Sequence, residues 1–179
     1  MPAAPLPPDE AARLAALRRC RVMDTPPEAT LDALTHQARE ICGAPMATLS
    51  LVDDRRQWFK SRAGVSWTGT PRDESFCAHA LLNPRQPLIV PDATADPRFA
   101  DNPAVTGQAK IRFYAGVPLL SPEGHPLGTL CVYDRTPREL SAEQVSQLSS
   151  LTQQAAHLLS LRRRVPTERR LALGFAATL

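Results

Sequence analysis

The chain has 179 residues, of which 43% are hydrophobic and 22% are charged, a composition typical of one soluble domain with a single core. It contains neither a complete membrane span nor a secretory signal, which makes the cytoplasm the expected compartment. The net charge of +3 arises from the last 18 residues, where five arginines face one glutamate, so the remaining body carries −1 and lacks the basic surface of a nucleic-acid-binding domain.

The first eight residues contain four prolines and predict a flexible leader before the fold. Asp9 is a candidate N-cap for a short amphipathic helix. A second helix is predicted to begin in the sequence TPPE, where Thr25 would cap, a proline would occupy the first helical position and Glu28 would complete a capping box. Gly43 ends this helix.

The hydrophobic period then changes from that of a helix to that of a strand. Residues 47–52 alternate apolar and polar side chains, and residues 57–64 continue after a charged turn, so the two segments predict a β-hairpin. Residues 75–82 are predicted as a short helix and residues 88–90 as a short strand. Residues 92–110 are rich in proline, aspartate and asparagine, which predicts a loop.

Residues 113–120 and 127–133 predict a second hairpin near the centre of the sheet, joined by a turn with proline and glycine. Ser141 and Gln144 then form a capping box that begins the last helix. Four apolar residues recur along one side of this helix: Leu148, Leu151, Ala155 and Leu158. The stripe is about two heptads long, and we interpret it as a surface for helix pairing between two copies of the chain.

Residues 23–65, residues 70–82 with the sequence TPRDESFCAHALL, residues 90–140 and the capped last helix carry a pattern that periodicity alone does not provide. They resemble a bacterial GAF domain of the subgroup at the N-termini of sensor histidine kinases and diguanylate cyclases. The resemblance places the domain over residues 9–164. It implies a mixed α/β (α+β) fold with a central antiparallel sheet of five or six strands. Terminal helices would cover one face, and a ligand pocket would lie under loops and a short helix on the other.

The resemblance also implies a function. Members of the family bind small molecules or act as dimerising relays, and they transmit a conformational change to an attached output domain. We therefore expect a non-enzymatic sensory module with an unidentified small-molecule ligand, a homodimer formed through the first and last helices, and a kinase or cyclase as output partner in the same or another chain. Nothing in the sequence identifies a cofactor. The alternatives are a ligand-free dimerisation module and a thiol-dependent enzyme that resembles methionine sulfoxide reductases of this fold.

The residues expected to contact a ligand are aromatic side chains on two strands and polar residues around the short helix. They are Trp58, Phe59, Arg72, Glu74, Ser75, Cys77, His79, Phe113 and Tyr114. On each strand the two neighbouring aromatics point to opposite faces of the sheet. Ser75 has a second interpretation as the cap of the short helix. Arg98 and Asp101 could reach a ligand or tie the loop to Asp92, and we favour the structural role.

Cys77 and His79 are the most reactive residue types in this set, but their spacing argues against a catalytic pair. Positions i and i+2 of a helix point about 200° apart, so the two side chains cannot face one site. The cysteine motifs of the reductases, the bilin-attachment context and the NKFDE-type motif of cyclic-nucleotide GAF domains are all absent from the sequence.

The four cysteines, Cys20, Cys42, Cys77 and Cys131, are far apart and include no C-x-x-C pair. This spacing predicts thiols rather than a disulfide framework or a zinc ribbon, and no metal site is expected. The chain ends in a basic segment followed by nine mostly apolar residues, 171–179. This tail, residues 165–179, has three interpretations: the start of a truncated membrane span, a short amphipathic anchor, or a frayed terminus. Membrane contact is expected only through this tail.

Overall fold

The computed structural model describes residues 1–163. Its helices are α1 (Glu10–Cys20), α2 (Ala29–Cys42), α3 (Phe76–Ala80), α4 (Pro103–Thr106) and α5 (Ala142–Leu161). Its strands are β1 (Met46–Val52), β2 (Arg56–Ala63), β3 (Gly69–Pro71), β4 (Leu88–Val90), β5 (Phe113–Leu120) and β6 (Pro126–Asp134), and a single 3-10 turn covers Arg72–Glu74. Within residues 1–163 no helix combines the length and the apolar character that crossing a bilayer requires. The predicted tail, residues 165–179, lies outside the described residues.

The six strands form one antiparallel sheet in the order β3-β2-β1-β6-β5-β4. Both predicted hairpins are confirmed, and the distant strands β1 and β6 pair at the centre of the sheet. The strand β5 was expected at the centre, but it lies one strand in from the edge because β4 pairs along its outer side. The sequence did not predict β3, since its three residues include a glycine and a proline, two residue types that are depleted in strands.

The helices α1, α2 and α5 pack on one face of the sheet, as the family resemblance implies. Their apolar side chains, among them Leu31 and Leu34 of α2, join Leu49 and Leu51 of β1 in a buried cluster that we call the helical-side core. Trp58 packs against the same cluster from β2. This layer buries one apolar face of the sheet, which is the main stabilising term for an antiparallel sheet of this kind.

The apolar stripe of α5 faces this core. Leu148, Leu151 and Ala155 are buried in the helical-side core, and Leu158 is partly buried against it. The interpretation of the stripe as a contact surface between two copies was therefore wrong for these residues. The same spacing that serves a coiled coil also serves a helix packed on a sheet, and periodicity does not distinguish the two.

The two predicted capping boxes have different outcomes. Ser141 and Gln144 form the predicted box at the start of α5. At α2, the helix begins at Ala29, and Glu28 occupies the N-cap without a side-chain capping bond. Its carboxylate instead pairs with Lys60 Nζ at 2.5 Å and with Arg162 Nη1 at 2.7 Å. Because the helix begins three residues later than predicted, Glu28 lies at the N-cap rather than at the third helical position, so the predicted box with Thr25 does not form.

A buried arginine connects α1 to the sheet. Arg13 is fully buried, and its guanidinium donates to the backbone oxygens of Val52 and Pro126 at the adjoining ends of β1 and β6. Glu10 accepts from Arg13 Nε at 2.7 Å and also pairs with Arg72. The three charged side chains fix the position of α1 at one end of the sheet.

The face of the sheet opposite the helices is covered by α3, α4 and the loop around them. Asn102 caps α4 and donates from its side chain to the backbone oxygen of Glu74, which holds the loop onto the segment before α3. Residues 1–8, predicted as a leader, contain no helix or strand, and Met1 and Ala4 pack against this covered face.

Candidate functional site

A second buried cluster lies between the sheet and α3, on the face where the resemblance implies a ligand. Its aromatic residues are in direct contact. The ring of Phe76 stacks on Phe99 at 4.3 Å and on Tyr114 at 5.2 Å, and Tyr114 lies 5.4 Å from Tyr133. Trp67 packs at the margin of this cluster. We call the whole cluster the site-face core.

Within the site-face core, seven hydroxyl and thiol groups gather in one place. This hydroxyl–thiol cluster consists of Thr48, Ser50, Cys77, Tyr114, Thr129, Cys131 and Tyr133. All seven are buried, and the most exposed, Tyr133, is only 6% accessible. Buried polar groups are costly unless they are hydrogen-bonded, and each of these has a partner within the cluster.

The two thiols organise the cluster. Thr129 Oγ1 and the Tyr114 hydroxyl donate to Cys77 Sγ at 3.0 and 3.4 Å. Thr48 Oγ1 lies 3.1 Å from Cys131 Sγ, which in turn lies 3.2 Å from the Tyr133 hydroxyl. The sulfur atoms of Cys77 and Cys131 are 3.9 Å apart. A continuous polar network therefore runs beneath α3.

The register of the central strands explains why these groups meet. Thr48 lies opposite Cys131 and Ser50 lies opposite Thr129 in the antiparallel pairing of β1 with β6. Opposed residues in such a pair point to the same face, so two polar positions on each strand converge. A glycine at position 116 completes the arrangement, because a Cβ there would overlap the ring and hydroxyl of Tyr114.

The pKa values of the two thiols shift in opposite directions. Burial raises the pKa of the Cys77 thiol well above its ordinary value, and the contact with Cys131 adds to that shift. For Cys131, burial also works to raise the pKa, but hydrogen bonds with Cys77, Thr129 and Thr48 outweigh it and lower the pKa.

The structure brings together three of the residues expected to contact a ligand. Phe59, Cys77 and Tyr114 are buried in the site-face core. Trp58 and Phe113 pack on the helical-side core, so they cannot line a pocket on the opposite face. The expected alternation of neighbouring aromatics across the sheet is thus observed on both β2 and β5.

The polar residues before α3 have structural partners. Arg72 pairs with Glu10 and donates to the backbone oxygen of Asp53 at 3.0 Å. The Ser75 hydroxyl caps α3 by accepting from the Ala78 amide, and it donates to the Gln57 side chain at 2.5 Å. The interpretation of Ser75 as a helix cap is confirmed. Glu74 is half-buried, and its backbone oxygen accepts the bond from Asn102.

Cys77 and His79 point in different directions, as their spacing predicts. Cys77 faces the hydroxyl–thiol cluster, whereas the ring of His79 packs edge-on against Phe99 at 4.8 Å. Burial lowers the pKa of His79, and the charge of Arg98 lowers it further. Arg98 pairs with Asp96, two residues away, so it ties the loop locally but not to Asp92 as expected.

Four members of the cluster were not identified from the sequence as site residues: Thr48, Ser50, Thr129 and Tyr133. Their signal is present, since polar residues alternate with leucines or other apolar residues along both β1 and β6. Alternation is usually a sign of a solvent-exposed face, and it does not reveal that α3 covers this one. The family resemblance implies that a short helix covers this face. Combined with the alternation, that expectation would have identified the four residues.

An open cleft of about 780 Å³ lies on the helical side, between α5 and the loop before β4. Its walls include Pro87, Val117, Ser149 and Ala156. None of the residues expected to contact a ligand lines this cleft. Among residues 1–163, no group of three or more histidine, cysteine, aspartate or glutamate side chains is arranged to hold a metal ion.

Comparison with known proteins identifies relatives of this chain. The family model described as GAF domain matches residues 26–159. A cyclic di-GMP phosphodiesterase of Pseudomonas aeruginosa is 42% identical over 140 residues, which are 78% of this chain and 24% of that protein. The chain therefore spans about a quarter of the length of that relative.

Two solved structures share the fold at low sequence identity. The GAF domain of an Acinetobacter phosphoenolpyruvate-protein phosphotransferase superposes with a TM-score of 0.63 at 18% identity, over 86% of this chain and 96% of that one. The blue-light-absorbing form of the PixJ GAF domain from Thermosynechococcus elongatus gives 0.62 at 15% identity, over 93% and 98%. Both confirm the mixed fold with its antiparallel sheet.

Proposed function

This chain belongs to the GAF domain family, and we propose that it is a non-catalytic sensory module of a bacterial signalling protein that binds a small molecule at the site-face core. The observation that carries the proposal is the hydroxyl–thiol cluster, which concentrates hydrogen-bonding groups beneath α3. A site built of neutral donors and acceptors fits a polar, uncharged part of a ligand better than a metal ion or a phosphate.

The covering elements support a binding role for this face. The helix α3 has five residues and α4 has four, so neither forms enough internal hydrogen bonds to be stable without its packing. Short covering elements open at a smaller free-energy cost than the central strands beneath them. A ligand that enters below α3 would therefore displace aromatic side chains rather than the sheet.

We further propose that the module regulates an output domain in cyclic di-GMP or two-component signalling. The relative from Pseudomonas aeruginosa is named as a cyclic di-GMP phosphodiesterase, and the part shared with this chain is a quarter of that protein. Catalysis of that reaction is not assigned to the shared part, because the matched residues coincide with the GAF region. A kinase or cyclase remains the proposed output partner.

A ligand-free relay is the second candidate, and the close packing of the site-face core favours it. The ring of Phe76 is in direct stacking contact with the rings of Phe99 and Tyr114, so no open space separates them. In this alternative the hydroxyl–thiol cluster only specifies the packing of α3. The homodimer through terminal helices is a proposal in both cases, and it must use the outward side of α5, where Leu161 is 40% exposed.

Native mass spectrometry of the freshly purified protein, before and after incubation with a small-molecule extract of bacterial cells, separates the two candidates. We expect added mass that is lost on denaturation and is reduced in Thr129→Val, which removes a hydroxyl from the site without changing its shape. The matched control is Thr35→Val, a fully buried threonine on the helical side, which should keep the added mass. A bare mass before and after incubation would favour the relay.

A further inference from the structure

The four cysteines of the chain are not equivalent. Cys20 and Cys42 are buried in the helical-side core. Cys77 and Cys131 face each other in the site-face core, on α3 and β6, with their sulfur atoms 3.9 Å apart. These two cysteines are 54 residues apart in the sequence. All four cysteines lie within the described residues, and no other pair of them is this close.

We propose that Cys77 and Cys131 form an oxidation site, where a small hydroperoxide converts the two thiols into a disulfide that joins α3 to β6. Both thiols belong to the hydroxyl–thiol cluster, but their oxidation does not require the small-molecule ligand proposed above. It requires only the thiol pair, a hydroperoxide and transient opening of α3.

The chemistry balances with the hydroperoxide as the only oxidant. The sulfur of Cys131 donates an electron pair to the terminal peroxide oxygen, the O–O bond breaks, and the leaving oxygen departs as an alcohol or as water after taking up the thiol proton. Cys131 then carries a sulfenic acid. The sulfur of Cys77 attacks that sulfur, the S–O bond breaks, and the hydroxide leaves as water with the proton of Cys77. The thiols lose two electrons and two protons, which the peroxide receives.

The surroundings assign the order of these steps. Three hydroxyl groups, those of Thr48, Ser50 and Tyr133, lie within 3.7 Å of the Cys131 sulfur, and two lie at the Cys77 sulfur. Hydrogen bonds stabilise a thiolate, which is the form that attacks a peroxide, so Cys131 reacts first. Thr48 Oγ1 at 3.1 Å is placed to hydrogen-bond the ionised sulfur. Cys77 is the resolving thiol, and it lies on the movable side of the pair.

The distance between the sulfur atoms must decrease from 3.9 Å to about 2.05 Å for the bond to form. The short helix α3 can supply this movement, because it is bounded by the 3-10 turn on one side and by a turn on the other. Both sulfurs are fully buried, so α3 must open locally to admit the peroxide before oxidation can occur. Once formed, the disulfide would hold α3 against the sheet.

The test is a peptide map of the protein after treatment with hydrogen peroxide. The protein is denatured, free thiols are alkylated without reduction, and trypsin is added. Cleavage after Arg72 and Arg85 isolates Cys77, and cleavage after Arg112 and Arg135 isolates Cys131. We expect a species that links these two peptides, in a protein about 2 Da lighter than the reduced form, while Cys20 and Cys42 are alkylated.

Single variants complete the design. Cys131→Ser should abolish the linked species and the mass loss, whereas Cys42→Ser, a buried thiol on the other face, should leave both unchanged. Should Cys131→Ser fail to fold, the map of the unmodified protein still decides. Full alkylation of both Cys77 and Cys131 after peroxide, a cross-link to Cys20 or Cys42, or a sulfinic acid at Cys131 without any cross-link would overturn the proposal.

Discussion

Glu10 is a carboxylate with two arginine partners, and its pKa is strongly lowered. Burial works to raise its pKa, but hydrogen bonds from Arg13 and Arg72 outweigh burial and lower the pKa to about 2. The fully buried Arg13 depends on this carboxylate to balance its charge. Removing one member of such a group leaves an unpaired charge out of water, which costs more than the pair contributes.

We predict that the stability lost in Glu10→Gln depends on pH. The carboxyl has a lowered pKa in the folded state, so its contribution is complete above about pH 5, where the unfolded chain is also ionised, and disappears as the pH falls toward 2. Urea unfolding at pH 7, 4 and 3 should give a difference between wild type and variant that shrinks with acidity. Glu40→Gln, at an exposed position of α2, is the control and should show no such trend.

Gly116 is the second residue whose identity the structure explains. A methyl group there would overlap the Tyr114 ring, so Gly116→Ala should lower the free energy of unfolding by about 2 kcal/mol through overpacking. In a Tyr114→Val background, where no ring is present, the added methyl should cost much less. Equal losses in both backgrounds, measured by urea unfolding, would contradict this explanation.

At the scale of elements, α5 belongs to the core of its own chain. Leu151→Ser should lower the free energy of unfolding by about 3 kcal/mol or more, because it leaves a cavity and buries a hydroxyl. Gln154→Ser, exposed on the same helix, should change it by less than about 0.5 kcal/mol. Urea unfolding and sedimentation together test this. If Leu151→Ser leaves the stability unchanged but converts a dimer to a monomer, the result would support the original interpretation of the stripe as a contact between two copies.

Some elements are determined by local sequence signals, and others depend on contacts between distant residues. Local signals were sufficient for the hairpins, for Gly43 at the end of α2 and for the Ser141 cap of α5. They were insufficient at Glu28, because its partners Lys60 and Arg162 are 32 and 134 residues away and no local pattern reveals them. The candidate site behaves in the same way. Strand alternation was sufficient for Phe59 and Tyr114, whereas Thr48 and Thr129 also required the knowledge that α3 covers their face of the sheet.

At the scale of the whole molecule, Arg162 connects all three long helices. It lies just after α5, pairs with Glu28 before α2, and donates to the backbone oxygens of Cys20 and Arg21 at the end of α1. Any movement of the end of α5 would therefore change the contacts of Arg162 with the other two helices.

We predict that Arg162→Met, which keeps the apolar stem, releases this end of the domain. Amide hydrogen exchange in the last turn of α5 should become faster, and the free energy of unfolding should fall by about 1 kcal/mol. The control is Arg163→Met, whose side chain pairs only with the surface carboxylate of Glu123 among the described residues, and which should have little effect. Exchange that is equally fast in both variants would show that position 162 has no special role.

The placement of Trp58 and Trp67 on opposite faces of the sheet has a consequence for spectroscopy. They are the two tryptophans of the chain, one packed against the helical-side core and the other against the site-face core. Replacing either by phenylalanine leaves a single fluorophore that reports on one layer. Emission from Trp67 alone would then register events beneath α3, and emission from Trp58 alone would register rearrangement of the helices, so the two signals give the order in time of stimulus and response.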